Sequence, residues 1–104
     1  WEKRMHYIIV NTDREDGVQL RADTRDAHLA YLRDHGKNAR LVQAGPTPSE
    51  DGTRMTGSLL VVEADTIKEV RALAADDPYT KAGLFSNTDV RPWNWTVGNP
   101  DGGH

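Results

Sequence analysis

One stretch of this 104-residue chain decides its fold: GSLLVVEADTIKEVRALAADDP, residues 57–78. Its first part, residues 57–63, is rich in leucine and valine, which predicts a strand. Thr66 and Glu69 then form the S/T-x-x-E pattern of a capping box, which predicts the start of a helix. Pro78 cannot extend that helix. A strand that leads into a capped helix is the unit from which the rest of the fold is inferred.

The remaining elements follow from hydrophobic spacing and from turn residues. Asp23 or Thr24 is the expected cap of the first helix, Gly36 is its stop, and Gly45-Pro46 closes the second strand. The order strand, helix, strand, strand, helix, strand predicts an α+β protein with a ferredoxin-like βαββαβ fold, in which two helices cover one face of a four-stranded antiparallel sheet. Besides the strand at 57–63, we predict strands at residues 7–10, 39–44 and 84–90, helices at about 21–34 and 67–75, and an extended tail at 92–97.

Two of the predicted strands are apolar on both faces. They contain Leu59-Leu60-Val61-Val62 and Ile8-Ile9-Val10. Consecutive residues of a strand point to opposite faces of the sheet, and the helices can cover only one face. We therefore expect the other face to be covered by a second copy of the chain, which predicts a homodimer.

Composition argues against several classes of partner. The chain has 16 acidic and 13 basic residues, and its formal net charge is -3. The basic residues are scattered among acidic ones, which argues against nucleic acid or an anionic membrane as the main partner. The chain has no cysteine and no apolar run near the roughly 20 residues of a membrane span. We expect one cytoplasmic domain over residues 1–104, with a core at about 5–97 and a flexible tail at 98–104.

The sequence predicts neither a nucleotide cofactor nor a metal. It contains no G-x-G-x-x-G pattern and no P-loop. His28 and His35 lie two helical turns apart, about 10.5 Å along an α-helix. Two ligands of one zinc ion each lie about 2 Å from it, so this pair cannot share a metal.

The candidate chemistry rests on His28 and Asp77. His28 lies in the first predicted helix, and Asp77 lies in the loop after the second. A histidine and an aspartate from two different elements are the minimum set for proton transfer, in which the carboxylate orients the imidazole. Two plainer interpretations stay open. His28 is also explained as a boundary histidine bonded to backbone, and Asp77, which precedes Pro78, as a turn residue that caps local amides.

Other polar and aromatic residues have two interpretations each. Arg25 lies one turn before His28 and is placed either to bind an anionic group of a substrate or to pair with Asp26 or Asp77. Ser58 either donates a hydrogen bond to a ligand or is an ordinary strand-edge serine. The pair Trp93 and Trp95 either lines an aromatic-binding pocket or anchors a subunit interface.

Several short motifs resemble those of the YciI-like (YCII-related) proteins, which are small dimeric α+β barrel proteins. The motifs, in order across most of the chain, are Arg25-Asp26-Ala27-His28-Leu29-Ala30-Tyr31-Leu32, Ala44-Gly45-Pro46, Gly57-Ser58, Asp77-Pro78-Tyr79 with Ala82-Gly83, and Arg91-Pro92-Trp93. The resemblance implies a ferredoxin-like dimer and a His–Asp active site formed by His28 and Asp77. Gly45 and Tyr79, which belong to the matching motifs, join Arg25 and Ser58 as candidate substrate-binding residues.

One branch of that family removes chloride from a chlorinated hydroxyhydroquinone, which implies acid–base chemistry without a cofactor on small aromatic or enolic molecules. We therefore expect a homodimeric enzyme of lyase or isomerase type, acting by elimination, isomerisation or tautomerisation on a small cyclic or aromatic oxygenated compound. The alternative hypothesis is a small-molecule-binding or accessory module without chemistry of its own. A third is a dimeric scaffold subunit of a larger enzyme.

Overall fold

The computed structural model describes residues 4–100 and contains one four-stranded sheet. The strands follow the order β2-β3-β1-β4, and every neighbouring pair is antiparallel. This arrangement confirms the ferredoxin-like fold expected from the sequence. The elements are β1 (Met5–Asp13), α1 (Val18–Arg33), β2 (Ala39–Pro48), β3 (Met55–Ala64), α2 (Ile67–Ala75), α3 (Pro78–Lys81) and β4 (Phe85–Trp93).

The hydrophobic core lies between one face of the sheet and the helices. Tyr7 and Ile9 of β1 pair in register with Val62 and Leu60 of β3, and all four side chains are buried. The core also contains buried residues of α2, and partly buried residues of α1 pack against the same cluster. Both long helices therefore cover the same face, and they do so because alternate strand positions are apolar.

The opposite face of the sheet is also apolar at its centre. Ile8 pairs with Val61, and Val10 pairs with Leu59, so the four side chains form a compact patch across β1 and β3. Leu59 is 41% exposed, which is a large fraction for a leucine in the middle of a sheet. This patch is the physical basis of the expected homodimer.

Two strands continue through prolines that the sequence placed outside them. β2 runs through Gly45 and Pro46 to Pro48, so the prediction that Gly45-Pro46 closes it is wrong. β4 continues to Trp93 and includes Pro92, which was assigned to an extended tail. Both are edge strands, where a residue without an N–H leaves no ladder bond unmade.

The helix starts differ from the predicted caps. α1 begins at Val18 with Gly17 as its N-cap, and no side chain caps it, so Asp23 and Thr24 lie inside the helix. Thr66 is the N-cap of α2 as expected, but its side chain makes no capping hydrogen bond. The Glu69 carboxylate accepts from the amide of residue 65 at 3.4 Å instead. The capping pattern located the helix correctly but not the bonds that begin it.

The loop between α2 and β4 contains the one-turn helix α3, where the sequence predicts only a loop. Beyond β4, Gly98 adopts a left-handed φ of 78°, and residues 98–100 form neither helix nor strand. The rest of the expected tail, residues 101–104, lies outside the described residues. Within residues 4–100, the helices are too short or too polar to cross a bilayer.

We predict that Gly57→Ala destabilises the protein strongly. A Cβ at this position would lie 2.2 Å from the backbone oxygen of Asn11, so β1 and β3 would have to move apart. Such overpacking costs about 1–3 kcal/mol, and each kcal/mol lowers Tm by about 4–8 °C in a domain of this size. Thermal unfolding followed by circular dichroism measures the change.

Gly45→Ala is the matched control for that experiment. A Cβ there meets nothing within 4 Å, and Gly45 also lies in a strand. Its Tm should stay close to that of the wild type. Equal losses of Tm for Gly45→Ala and Gly57→Ala would contradict the close approach at Gly57.

Candidate active site

His28 and Asp77 are in direct contact. Nδ1 of His28 lies 2.8 Å from Oδ1 of Asp77, across 49 residues of sequence. His28 is 7% exposed and Asp77 is 3% exposed, so the contact is shielded from bulk water. A hydrogen bond between a buried imidazole and a carboxylate fixes the ring orientation and its tautomer.

Asp77 also begins the one-turn helix α3. The same atom, Oδ1, accepts the backbone N–H of Tyr79 at 2.9 Å, and Pro78 occupies the first helical position. The two interpretations of Asp77 from the sequence, as partner of His28 and as a local cap, therefore hold together. For His28, the plainer interpretation is wrong in one respect, because its Nδ1 bonds to a carboxylate and not to backbone.

A second bond holds α1 against α2 near this pair. The Tyr31 hydroxyl donates to the carbonyl oxygen of Leu73 at 2.8 Å. Burial raises the pKa of Tyr31 to about 12, and the negative charges of Asp76 and Asp77 act in the same direction. Tyr31 therefore remains a neutral donor at physiological pH. This bond holds the helix that carries His28 against the helix that precedes Asp77.

Asp76, the neighbour of Asp77, has an ion-pair partner of its own. Its carboxylate forms an ion pair with the ammonium group of Lys37, which lowers the pKa of Asp76. The partner of Asp76 lies in the loop between α1 and β2, and the partner of Asp77 lies on α1. The two adjacent carboxylates thus serve different contacts.

Tyr79 supports His28 through its ring. The two rings stack with centroids 4.0 Å apart and an interplanar angle of 17°. Tyr79 is buried, which raises the pKa of its phenol, although the positive charges of Arg21 and Arg25 act in the opposite direction. The guanidinium carbon of Arg21 lies 4.7 Å from the centre of the Tyr79 ring.

Arg21, which no sequence pattern indicates as a site residue, is buried beside this stack. Its Nε and Nη2 donate to the two carboxylate oxygens of Asp13 at 2.7 and 2.9 Å, and Nη2 also donates to the carbonyl oxygen of Gly57 at 2.9 Å. Burial tends to lower the pKa of Arg21, but Asp13 and Tyr79 together outweigh it, so the pKa is raised. No local pattern signals this pair, since Asp13 ends a strand and Arg21 lies in the first turns of a helix.

These side chains border a cleft of about 120 Å³ between α1 and strands β2 and β3. All the candidate site residues except Asp77 line it, and Asp77 lies behind His28. With Nδ1 engaged by Asp77, Nε2 of His28 has no hydrogen-bond partner among residues 4–100. The lining consists of Arg21, Arg25, His28, Leu29, Leu32, Ala44, Gly45, Pro46, Ser58, Leu60 and Tyr79.

Ser58 is a buried residue and not an exposed strand-edge serine. Its Oγ accepts from the amide of Asn11 at 2.8 Å, and the oxygen of the same amide accepts from the Thr88 hydroxyl at 2.8 Å. Asn11, buried on β1, was not among the predicted residues. In these two bonds the Asn11 side chain donates one N–H to Ser58 and accepts one bond from Thr88. Ser58 acts only as an acceptor here, so its hydroxyl proton is available to the cleft.

Arg25 does not form the expected ion pair with Asp26 or Asp77. It is exposed, and among the described residues it makes no salt bridge. Trp93 and Trp95 stack with centroids 5.6 Å apart, and neither lines the cleft, so the aromatic-pocket interpretation does not apply here. In the described part of the chain, no group of three or more metal-ligating residues lies together.

Comparisons with known proteins give consistent matches over most of the chain. A family model described as a YCII-related domain matches residues 5–94. Protein YciI of Escherichia coli O6:H1 is 34% identical over 94 residues, which cover 86% of this chain and 96% of that protein.

Two solved structures extend the comparison. A 5-chloro-2-hydroxyhydroquinone dehydrochlorinase from Burkholderia phenoliruptrix AC1100, in complex with 2,5-dihydroxybenzoquinone, is 40% identical with a TM-score of 0.73, and the match covers 86% of this chain and 93% of that one. A dimeric protein of unknown function and ferredoxin-like fold from Bacteroides fragilis NCTC 9343 is 14% identical with a TM-score of 0.54, and the match covers 89% of this chain and 97% of that one. The second likeness shows the fold alone.

We predict that His28 carries its proton on Nδ1 when the imidazole is neutral. The carboxylate of Asp77 is only an acceptor, so it selects the tautomer that donates to it. Nitrogen-15 NMR of labelled histidine should show this tautomer in the wild type and a different or mixed tautomer in Asp77→Asn. Asp76→Asn is the control and should leave the His28 signals unchanged. A wild-type spectrum with the proton on Nε2 would contradict the assignment.

Proposed function

The chain belongs to the YCII-related domain family, and from this premise we propose that it is an acid–base enzyme of lyase or isomerase type. Its substrate would be a small cyclic or aromatic oxygenated compound. The observation that carries the proposal is the buried contact of His28 with Asp77, which leaves Nε2 as the ring nitrogen available at the cleft. Support also comes from the dehydrochlorinase, which is 40% identical and acts on a chlorinated hydroxyhydroquinone.

In the proposed reaction, Nε2 of His28 removes a proton from the substrate. The electron pair of the broken bond forms a new C=C or C=O bond, and a leaving group such as chloride departs with its own bonding pair from a saturated carbon, which in a chlorinated hydroquinone is the C–Cl carbon after it has been protonated in the keto tautomer. The imidazolium that results is stabilised by the Asp77 carboxylate, and its proton passes to solvent in an elimination. In an isomerisation, His28 returns the proton to another atom of the same substrate. Neither route changes the oxidation level of the system as a whole.

The remaining candidate residues have distinct proposed roles around the substrate. Ser58 donates its free hydroxyl proton to a substrate oxygen, and Arg25 attracts a negatively charged one. Tyr79 holds the imidazole ring by stacking on it. Gly45 contributes backbone to the wall of the cleft, since a side chain there would point, like its partner Leu59, to the opposite face of the sheet. The cleft volume of about 120 Å³ suits a single ring. For comparison, an apolar cavity of about 150 Å³ holds one benzene molecule.

We propose chloride release from 5-chloro-2-hydroxyhydroquinone as the first assay, under anaerobic conditions because hydroquinones oxidise in air. The wild type should release chloride, measured by ion chromatography, and His28→Ala should lower kcat by about 10²–10⁴-fold. Asp77→Asn should also lower kcat, because the imidazole loses its orientation. His35→Ala removes a histidine outside the cleft and should keep wild-type turnover.

Two results would contradict the catalytic proposal. The first is wild-type turnover in a folded His28→Ala variant, with folding checked by circular dichroism. The second is saturable binding of ring compounds by the wild type with none of them consumed across a panel of halogenated and enolic substrates. The second result would favour the binding-module hypothesis.

We also propose that the protein is a homodimer that buries the apolar patch of Ile8, Val10, Leu59 and Val61. A mutation to charge in that patch, Leu59→Glu, should shift the mass measured by light scattering from about twice the 11.6 kDa chain mass toward that of one chain. Val18→Glu introduces the same charge at an exposed apolar side chain on α1 and serves as the control. A monomeric wild type at micromolar concentration would contradict the dimer.

A further inference from the structure

We infer that the cleft takes its ligand as an anion, with an ionised oxygen held between the guanidinium groups of Arg21 and Arg25. This inference deepens the proposed function and rests on it only in taking the cleft beside His28 as the ligand site. The ligand class it names is a single-ring compound with an ionised oxygen, such as a phenolate or enolate.

The helix α1 directs both cations to the same place. Arg21, Arg25 and His28 follow one another at spacings of four and three residues, so they lie along one side of the helix. All three line the cleft. Residues at this spacing usually form the apolar stripe by which a helix packs on the core. On α1 the stripe begins with these charged residues, and Leu29 and Leu32 extend it along the same side of the helix. The cleft therefore receives two positive charges from adjacent turns.

Arg21 is held in place by its bonds to Asp13 and Gly57, which do not use its Nη1 amino group. Its Nε and Nη2 are used by Asp13 and by the Gly57 carbonyl. Arg21 also interacts with the hydroxyl of Tyr79, and its side chain lines the cleft. Because the guanidinium is already fixed, a ligand oxygen that bonds to Nη1 costs little side-chain entropy.

Arg25 supplies the second, mobile contact. It is exposed, and among the described residues it has no ion-pair partner. The two carboxylates nearest to the site are already engaged, because Asp13 bonds to Arg21 and Asp77 bonds to His28. Neither carboxylate lines the cleft, so a ligand meets only cationic and neutral groups there.

The rest of the lining selects a flat apolar body for this anion. Leu29, Leu32, Leu60 and Pro46 form the apolar part of a cleft of about 120 Å³. A polyphosphate would find only two cations and an apolar wall, whereas a ring with one ionised oxygen uses both parts. An ionised ring oxygen is also electron-rich, which helps to expel a leaving group, and the guanidinium groups stabilise its charge.

Calorimetric titration with two probes tests the inference. The anionic probe is 2,5-dihydroxybenzoquinone, a vinylogous acid that is ionised at neutral pH, and the neutral probe is hydroquinone. Arg25→Met should weaken binding of the anionic probe about tenfold and leave the neutral probe within about twofold. Arg33→Met removes the same charge from the same helix outside the cleft and should change neither affinity.

Arg21 needs a paired comparison, because Arg21→Met alone leaves the Asp13 carboxylate buried without its partner. Asp13→Asn and the double variant Asp13→Asn with Arg21→Met both lack that carboxylate and differ only in the cation. The double variant should bind the anionic probe about tenfold more weakly than Asp13→Asn, with similar affinity for hydroquinone. Thermal unfolding of both variants establishes that they are folded.

Equal weakening of both probes by Arg25→Met would overturn the inference, as would unchanged binding of the anionic probe. Failure of the wild type to bind the anionic probe at millimolar concentration would overturn it as well. None of these measurements involves turnover. Arginine-dependent binding of the anion without any chloride release would contradict the proposed enzyme and leave this inference standing.

Discussion

One carboxylate oxygen, Oδ1 of Asp77, links the backbone to the site. It accepts the amide N–H of Tyr79 at 2.9 Å and lies 2.8 Å from Nδ1 of His28. The first contact begins the one-turn helix α3, and the second orients an imidazole on α1. Because both contacts use one atom in a buried place, the position of α3 and the orientation of the imidazole depend on each other.

Tyr79 and Arg21 extend that link to the sheet. The amide of Tyr79 is held by Asp77, and its ring stacks on His28 and lies beside the guanidinium of Arg21. Arg21 is in turn fixed by Asp13, at the end of β1, and by the carbonyl oxygen of Gly57 in β3. The site is thus built on strands and helices rather than on a mobile loop, and such support preorganises the groups that meet a ligand.

Much of the candidate site was accessible from the sequence together with the family resemblance. His28, Arg25, Ser58, Gly45 and Tyr79 all line the cleft, and Asp77 contacts His28. Arg21 and Asn11 were not found, because each bonds to residues of other elements: Arg21 to Asp13 at the end of β1, and Asn11 to Ser58 of β3 and Thr88 of β4. The ion pair proposed for Arg25 was wrong because the candidate acid, Asp77, is already engaged by His28. Competition between partners is invisible until the side chains are placed in space.

The sequence by itself determined the order of the elements, the ferredoxin-like fold and the apolar character of both sheet faces. These features depend on periodicity and on turn residues, which act between near neighbours in the chain. The tertiary structure decided where the edge strands end, which groups share a carboxylate and which cations face the cleft. Prolines 46 and 92 stay within strands because those strands lie at the edges of the sheet. The Arg21–Asp13 pair exists because folding brings the end of β1 against the start of α1, and only that packing makes a buried charge affordable in free energy.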